Sequence, residues 1–268
     1  MYLYTNATDI FSNVEIKGGI CFFLIDNDYA GKCEYHYIDN NNHTVSLRNL
    51  GDFNLLIRDS NYAEIVKKVK DIHGDNQFVD SLVSNDTPFG ISSNVKSSTK
   101  KTSDISDKKD SKHNVAIYHI EKLKRRIDYI SINSISKNTQ DIGKYKVFLT
   151  GAAGSGNDKI VLGKPILAEK NSVCSQSFIY APFNSKIEAE NFIKYLKTKF
   201  FRVLVASIKI TQSCPNRVYQ FVPIQDFTET SDITWDCTIS EIDNQLFKKY
   251  SLSEDNIEYI KKSFDYME

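Results

Sequence analysis

Asp9, Glu15, Lys17 and Asp26 near the start of the chain are of the types that hold Mg2+ and position water in metal-dependent nucleases. The same Glu-x-Lys pair also fits outward charges on a strand whose Val14 and Ile16 face inward, because side chains alternate between faces. Taken alone, the pair favours that plainer reading. Gly151, Gly154 and Gly156 follow the strand-like run KVFLT, as in a phosphate-binding loop. A Walker loop needs Lys and then Ser or Thr directly after its last Gly, whereas Asn157 follows Gly156 and Lys159 is out of register. A dinucleotide or S-adenosylmethionine loop opens a helix, which Gly163 and Pro165 do not permit. A glycine-rich hairpin loop is the expectation. His36, His43, His73, His113 and His119 show no HExxH or HxxxH spacing, and Cys21, Cys33, Cys174, Cys214 and Cys237 form no CxxC pair. Reduced thiols, mostly buried, are expected, and no metal site. No G-x-S-x-G elbow is present.

Cationic residues give a clearer physical pattern. In EAENFIKYLKTKFFRVLVASIKI the apolar residues Ala189, Phe192, Ile193, Leu196, Phe200, Val203 and Leu204 recur every three or four positions, which predicts one long amphipathic helix. At about 100° per residue, Lys194, Lys197, Arg202 and Lys209 fall together opposite that stripe, with Lys199 at its margin. No Asp or Glu occurs from Asn191 through Gln225, while acidic residues crowd the segment from Asp226 onward. Such a face, with Arg217, Tyr219 and Gln220 downstream, could neutralise backbone phosphates. It could equally be solvated, or be paired with the acidic C-terminal helices. Lys122, Lys124, Arg125 and Arg126 form a second cluster, read either as a charged turn or as phosphate contacts. Trp235, the single tryptophan, reads as a core anchor beneath the C-terminal helices.

The elements that would position these groups follow from composition and pattern. A length of 268 residues suits one large domain or two small ones. With 34 Lys+Arg against 34 Asp+Glu there is no global field toward a polyanion, so any charged function must be local. The 41% hydrophobic and 25% charged composition is globular, and no apolar run approaches the roughly 18 residues of a membrane span. The N-terminus lacks the pattern of a secretion signal, so a cytoplasmic protein without membrane contact is expected. Residues 14–25 and the following DNDYAGKCEYHYI read as a hairpin, and Asp59 or Ser60 can cap a helix from about Asn61 to Lys70. The polar run at 96–113 reads as a loop or linker between an N-terminal part, 1–95, and a C-terminal part, 114–268. VAIYHI, DYISINSI and KYKVFLT read as strands, and RVYQFVPIQDF as a strand and turn. Thr238 with Glu241 makes a capping box, and Ser253 can cap a final helix. Segregated strands and helices predict an α+β fold.

Several stretches, in one order, resemble a known family. They are DIFSNVEIKGGICFFLIDNDYAGKCE, LIRDSNYAEIVKKV, TPFGI, IGKYKVFLTGAAGSG, VLGKPILAEKNSVCSQSFI, the EAENFIKYLKTKFFRVLVASIKITQ segment, VYQFVPIQDFT and SDITWDCTISEIDNQLFKKYSLSEDNIEYIK. Together they look like the C-terminal target-recognition region of bacterial restriction-modification adenine-specific DNA methyltransferases, including fused methylase-endonuclease enzymes. In such enzymes an upstream domain binds S-adenosylmethionine and grips the flipped adenine with an N-P-P-Y type motif, while this region contacts the duplex and chooses the sequence. This chain has no Pro-Pro pair, and its first residues already correspond to the post-catalytic segment.

The resemblance therefore implies a specificity module without catalysis or cofactor of its own, with S-adenosylmethionine held by a partner or missing domain. The implied partners are double-stranded DNA and a methyltransferase catalytic subunit. It does not say which residues read bases. The candidate DNA contacts rest on charge: Lys194, Lys197, Lys199, Arg202, Lys209, Arg217, Lys122, Lys124, Arg125 and Arg126. Two alternatives stand beside it, a Mg2+-dependent endonuclease subunit using Glu15 and Lys17 with Asp9 or Asp26, and a protein-interaction piece that docks on a methyltransferase through its C-terminal helices.

Overall fold

The computed structural model describes residues 1–14, 16, 18–40, 42–95, 104–154 and 160–267. Glu15 and Lys17, the 96–103 part of the polar run, and Gly156, Asn157 and Lys159 lie outside the described residues. The order is β1 (Tyr2–Tyr4), β2 (Ile20–Phe22), β3 (Cys33–Asp39), β4 (Asn42–Arg48), α1 (Ser60–His73), β5 (Ile105–Ser106), β6 (Val115–Glu121), β7 (Lys124–Ile130) and β8 (Tyr145–Thr150). It continues with β9 (Ile166–Ala168), β10 (Ser172–Cys174), β11 (Phe178–Phe183), α2 (Lys186–Lys197), α3 (Lys199–Ala206), α4 (Ile239–Lys249) and α5 (Glu254–Ser263). Two mixed sheets, one antiparallel sheet and these helices make an α+β fold.

The first sheet runs β2-β1-β3-β4, and it corrects the expected hairpin of 14–25 with the segment after it. β1 lies between β2 and β3, antiparallel to the one and parallel to the other. The reversal into β2 needs glycine: Gly19 has φ 79°, and a Cβ there would meet the Tyr4 carbonyl oxygen at 2.1 Å. The hairpin that does form joins β3 to β4. The second sheet, β10-β6-β7-β5, contains the basic cluster, and the third, β11-β8-β9, contains the strand before the glycine-rich loop. β8 pairs antiparallel with β9, so that loop joins two strands of one hairpin.

Asp59 accepts a hydrogen bond from the Asn61 N–H and starts α1, which runs three residues beyond the expected end. Its Ala63, Ile65, Val66 and Val69 enter a core shared with α2 through α5 and the third sheet. A second core gathers Phe89, Ile91 and Val95 with Val115, Ile117, Phe148 and Val173. Both cores draw on residues from either side of 96–113. The segment read as strand and turn around Arg217 is instead a 3-10 helix over Asn216–Tyr219, followed by a turn and a single bridge from Pro223 to Phe78. The C-terminal caps are as expected: Thr238 and Glu241 form the capping box of α4, and Ser253 accepts from the Asn256 N–H at α5. Trp235 is buried, its Nε1 donating to the Asp226 carbonyl. No described helix is long and apolar enough to cross a membrane.

Candidate nucleic-acid interface

The expected cationic helix face is not a surface. The predicted single helix is broken at Thr198 (φ −63°, ψ 149°), which ends α2 and caps α3 by accepting from the Phe201 N–H. The break turns the cations of α3 toward α5. Lys199 (7% exposed) donates from Nζ to the Lys261 carbonyl at 2.8 Å and lies 4.4 Å from the Tyr266 ring centroid. Arg202 (4% exposed) donates to the Asp265 carbonyl at 2.6 Å and lies over Phe264. Lys209 (9% exposed) donates to the Ala153 carbonyl, and Lys194 to the Trp235 carbonyl. Burial lowers the pKa of both Lys199 and Arg202 from their ordinary values. The reason is reach: long aliphatic stems pack in the apolar interface while their heads find orphan carbonyls at and beyond the α5 C-terminus. Lys194, Lys199, Arg202 and Lys209 are therefore tied into the fold, which corrects their reading as phosphate contacts. Lys197 is half-buried, and Arg217 is exposed.

A carboxylate completes this junction. Asp243 of α4 is buried at the N-terminus of α3, where Oδ2 accepts from the Lys199 N–H at 3.0 Å and Oδ1 from the Phe200 N–H at 2.8 Å. The anion-binding capacity of that helix end is thus used internally. Burial pushes the Asp243 carboxyl up to about 6, against the lowering by those two N–H groups and by Arg202 and Lys199.

The second basic cluster is differently placed. β6 and β7 pair in register from Val115↔Ile130 to Glu121↔Lys124, leaving Lys122 and Leu123 as a two-residue turn. Both have positive φ, 48° and 64°, as such a turn requires. The lower part of the ribbon is anchored: Val115, Ile117 and Ile130 are in the second core, and His119 Nε2 lies 2.7 Å from Asp128 Oδ2 in a buried pair. In the outer part, residues 122–127 are all exposed. Arg125 donates to the Lys164 carbonyl at 2.7 Å, and Arg126 lies 3.7 Å from Glu121. The side chains of Lys122 and Lys124 have no ion-pair or hydrogen-bond partner among the described residues, Lys124 pairing with Glu121 through the backbone alone. The reading of this cluster as a charged turn is met at Lys122–Leu123, although Lys-Leu is not a hairpin-turn dipeptide, whereas the His119–Asp128 staple carried no sequence signal because register alone brings the pair together.

Beside the ribbon, the loop end of β8 lines a cleft of about 510 Å3 with Asp86, Ile120, Thr150, Gly151, Gln176 and Cys214. Asp86 is its only acid among these and accepts from Gln176. The carboxylates of the nuclease alternative serve local turns: Asp9 accepts from Asn6 Nδ2, and Asp26 from the Asp28 N–H. Among the described residues no three His, Cys, Asp or Glu side chains are grouped to hold a metal. All five cysteines are free; Cys174 and Cys214 are buried, and Cys21 is exposed. Comparison of the sequence with protein-family models, and with curated proteins, returns no match.

Proposed function

We propose that the chain carries the DNA-sequence-recognition module of a cytoplasmic restriction-modification adenine methyltransferase. Duplex DNA is its ligand, and S-adenosylmethionine and methyl transfer are supplied by a partner subunit or by another domain. The collinear sequence resemblance suggests the system. The observation that carries the binding role is the β6–β7 ribbon, which offers Lys122, Lys124, Arg125 and Arg126 together on an exposed projection of a protein whose formal net charge is zero. Phosphate contacts of this kind hold a module on the duplex and set its register, while base edges supply the sequence choice.

Salt dependence tests the reading directly. Each neutralised phosphate contributes about −0.9 to the slope of log K against log salt, so two to four contacts from the ribbon give roughly −1.8 to −3.6. Between about 50 and 200 mM salt, affinity for a labelled mixed-sequence duplex then falls roughly 10- to 150-fold. Fluorescence anisotropy measures this. No binding of any duplex at low ionic strength overturns the proposal.

A further inference from the structure

The ribbon tip combines two features that the fold itself does not use. Leu123 is 97% exposed, more than any other large apolar side chain described. Its φ of 64° lies in the left-handed region, which is a genuine outlier for a bulky residue, and the preceding Lys122 is there as well. A two-residue turn of this kind is met with least strain by Asn-Gly. Strain and apolar exposure thus coincide at one position, with no packing within the chain to offset either. Lys122, Lys124, Arg125 and Arg126 all lie within three residues of it.

Building on the reading of the chain as a duplex-DNA module, we propose that Leu123 is a wedge that inserts between adjacent base pairs while the flanking cations sit on phosphates. The chemistry selects this partner. Four cations around one apolar tip complement a polyanion whose interior is a stack of apolar ring faces. A two-stranded ribbon with an exposed outer end is of a size to enter a groove. Apolar side chains inserted at a base step unstack it and kink the duplex by about 20–90°, most easily at flexible pyrimidine–purine steps.

The test uses short duplexes labelled at both ends with a fluorescence energy-transfer pair and carrying a central TA step, with the full chain and Leu123→Asn. The wild-type protein should shorten the end-to-end distance on binding. Leu123→Asn should bind roughly tenfold more weakly, with an unchanged salt slope, and leave the duplex straight. It should also melt at a higher temperature, because Asn accepts the left-handed conformation, so weaker binding cannot be laid to misfolding. Duplex that binds but stays straight with wild type, or bends equally with Leu123→Asn, overturns the wedge and leaves the DNA module standing. Absence of duplex binding overturns both. Leu123-dependent binding to phosphatidylserine vesicles without duplex bending overturns the wedge in favour of a lipid surface.

Discussion

Asp243→Asn gives a stability test whose sign and size follow from the α3–α4 junction. The carboxyl is 1% exposed, and burial raises its pKa from the ordinary 3.8 to about 6. A carboxyl with a raised folded-state pKa binds its proton more tightly when folded than when unfolded. Folding stability therefore falls as pH rises from about 4 to about 6 and is level beyond that window. A gap of about two units corresponds to about 3 kcal/mol at about 1.4 kcal/mol per unit. Other carboxyls pull the opposite way: Lys68 holds Glu64 below its usual range, and Thr238 does so for Glu241, so their contributions are lost as pH falls. The raw pH profile mixes these effects, whereas the difference between wild type and Asp243→Asn isolates position 243, because the amide does not titrate. Urea unfolding at a series of pH values from about 4 to about 7 supplies that difference. The wild-type protein should lose about 3 kcal/mol relative to the variant across the window. A difference that stays constant with pH refutes the claim that this carboxylate carries a net burial cost.

Lys122→Asn combined with Lys124→Gln should reduce the magnitude of the salt slope of duplex binding by about 1.8, read by anisotropy; an unchanged slope removes the ribbon from the interface. Thr238→Ala dismantles the capping box of α4 and should cost about 1 kcal/mol, seen as a lower urea midpoint. Lys146 is fully buried with Nζ donating to the carbonyls of Asp141, Ile142 and Lys144, and burial lowers its pKa to about 8. Because the folded state releases this proton first, stability should rise with pH from about 8 to about 10.5, and Lys146→Met should flatten that rise in the same unfolding assay.

The parts of the fold legible in the sequence are those set by local chemistry. Asp59, Thr238 and Ser253 announce helix starts because a cap is a contact between neighbours. The hairpin nature of the glycine-rich segment follows from Gly163 and Pro165, which cannot continue a helix. The break at Thr198 was not legible, since the periodicity runs through it. It depends on Asp243, 45 residues later, accepting the N–H groups that the second helix leaves open. Helical-wheel geometry drawn through that break set Arg202 on an outer face, whereas all of Lys199–Val205 is buried and the partner of Arg202 is a backbone carbonyl of Asp265. Carbonyls leave no trace in charge patterning. The central position of β1 escaped for a similar reason: parallel pairing with β3 is a non-local choice. What carries the functional reading, the Lys122–Leu123 turn, has the wrong dipeptide for its geometry, and that mismatch becomes visible only once φ is known.

The helix over residues 60–73 owes its cover to the end of the chain. Tyr259 donates to Asp59, and Lys68 donates to Ser253 and Asn256, across separations of 185–200 residues. At ribosomal speeds of about 5–20 residues per second, that helix emerges on the order of 10–40 s before its roof does. During this interval Asp59 and Lys68 lack those partners, and a premature stop that removes only α5 would leave both without them permanently while the other helices of the core could still cover Ile65, Val66 and Val69.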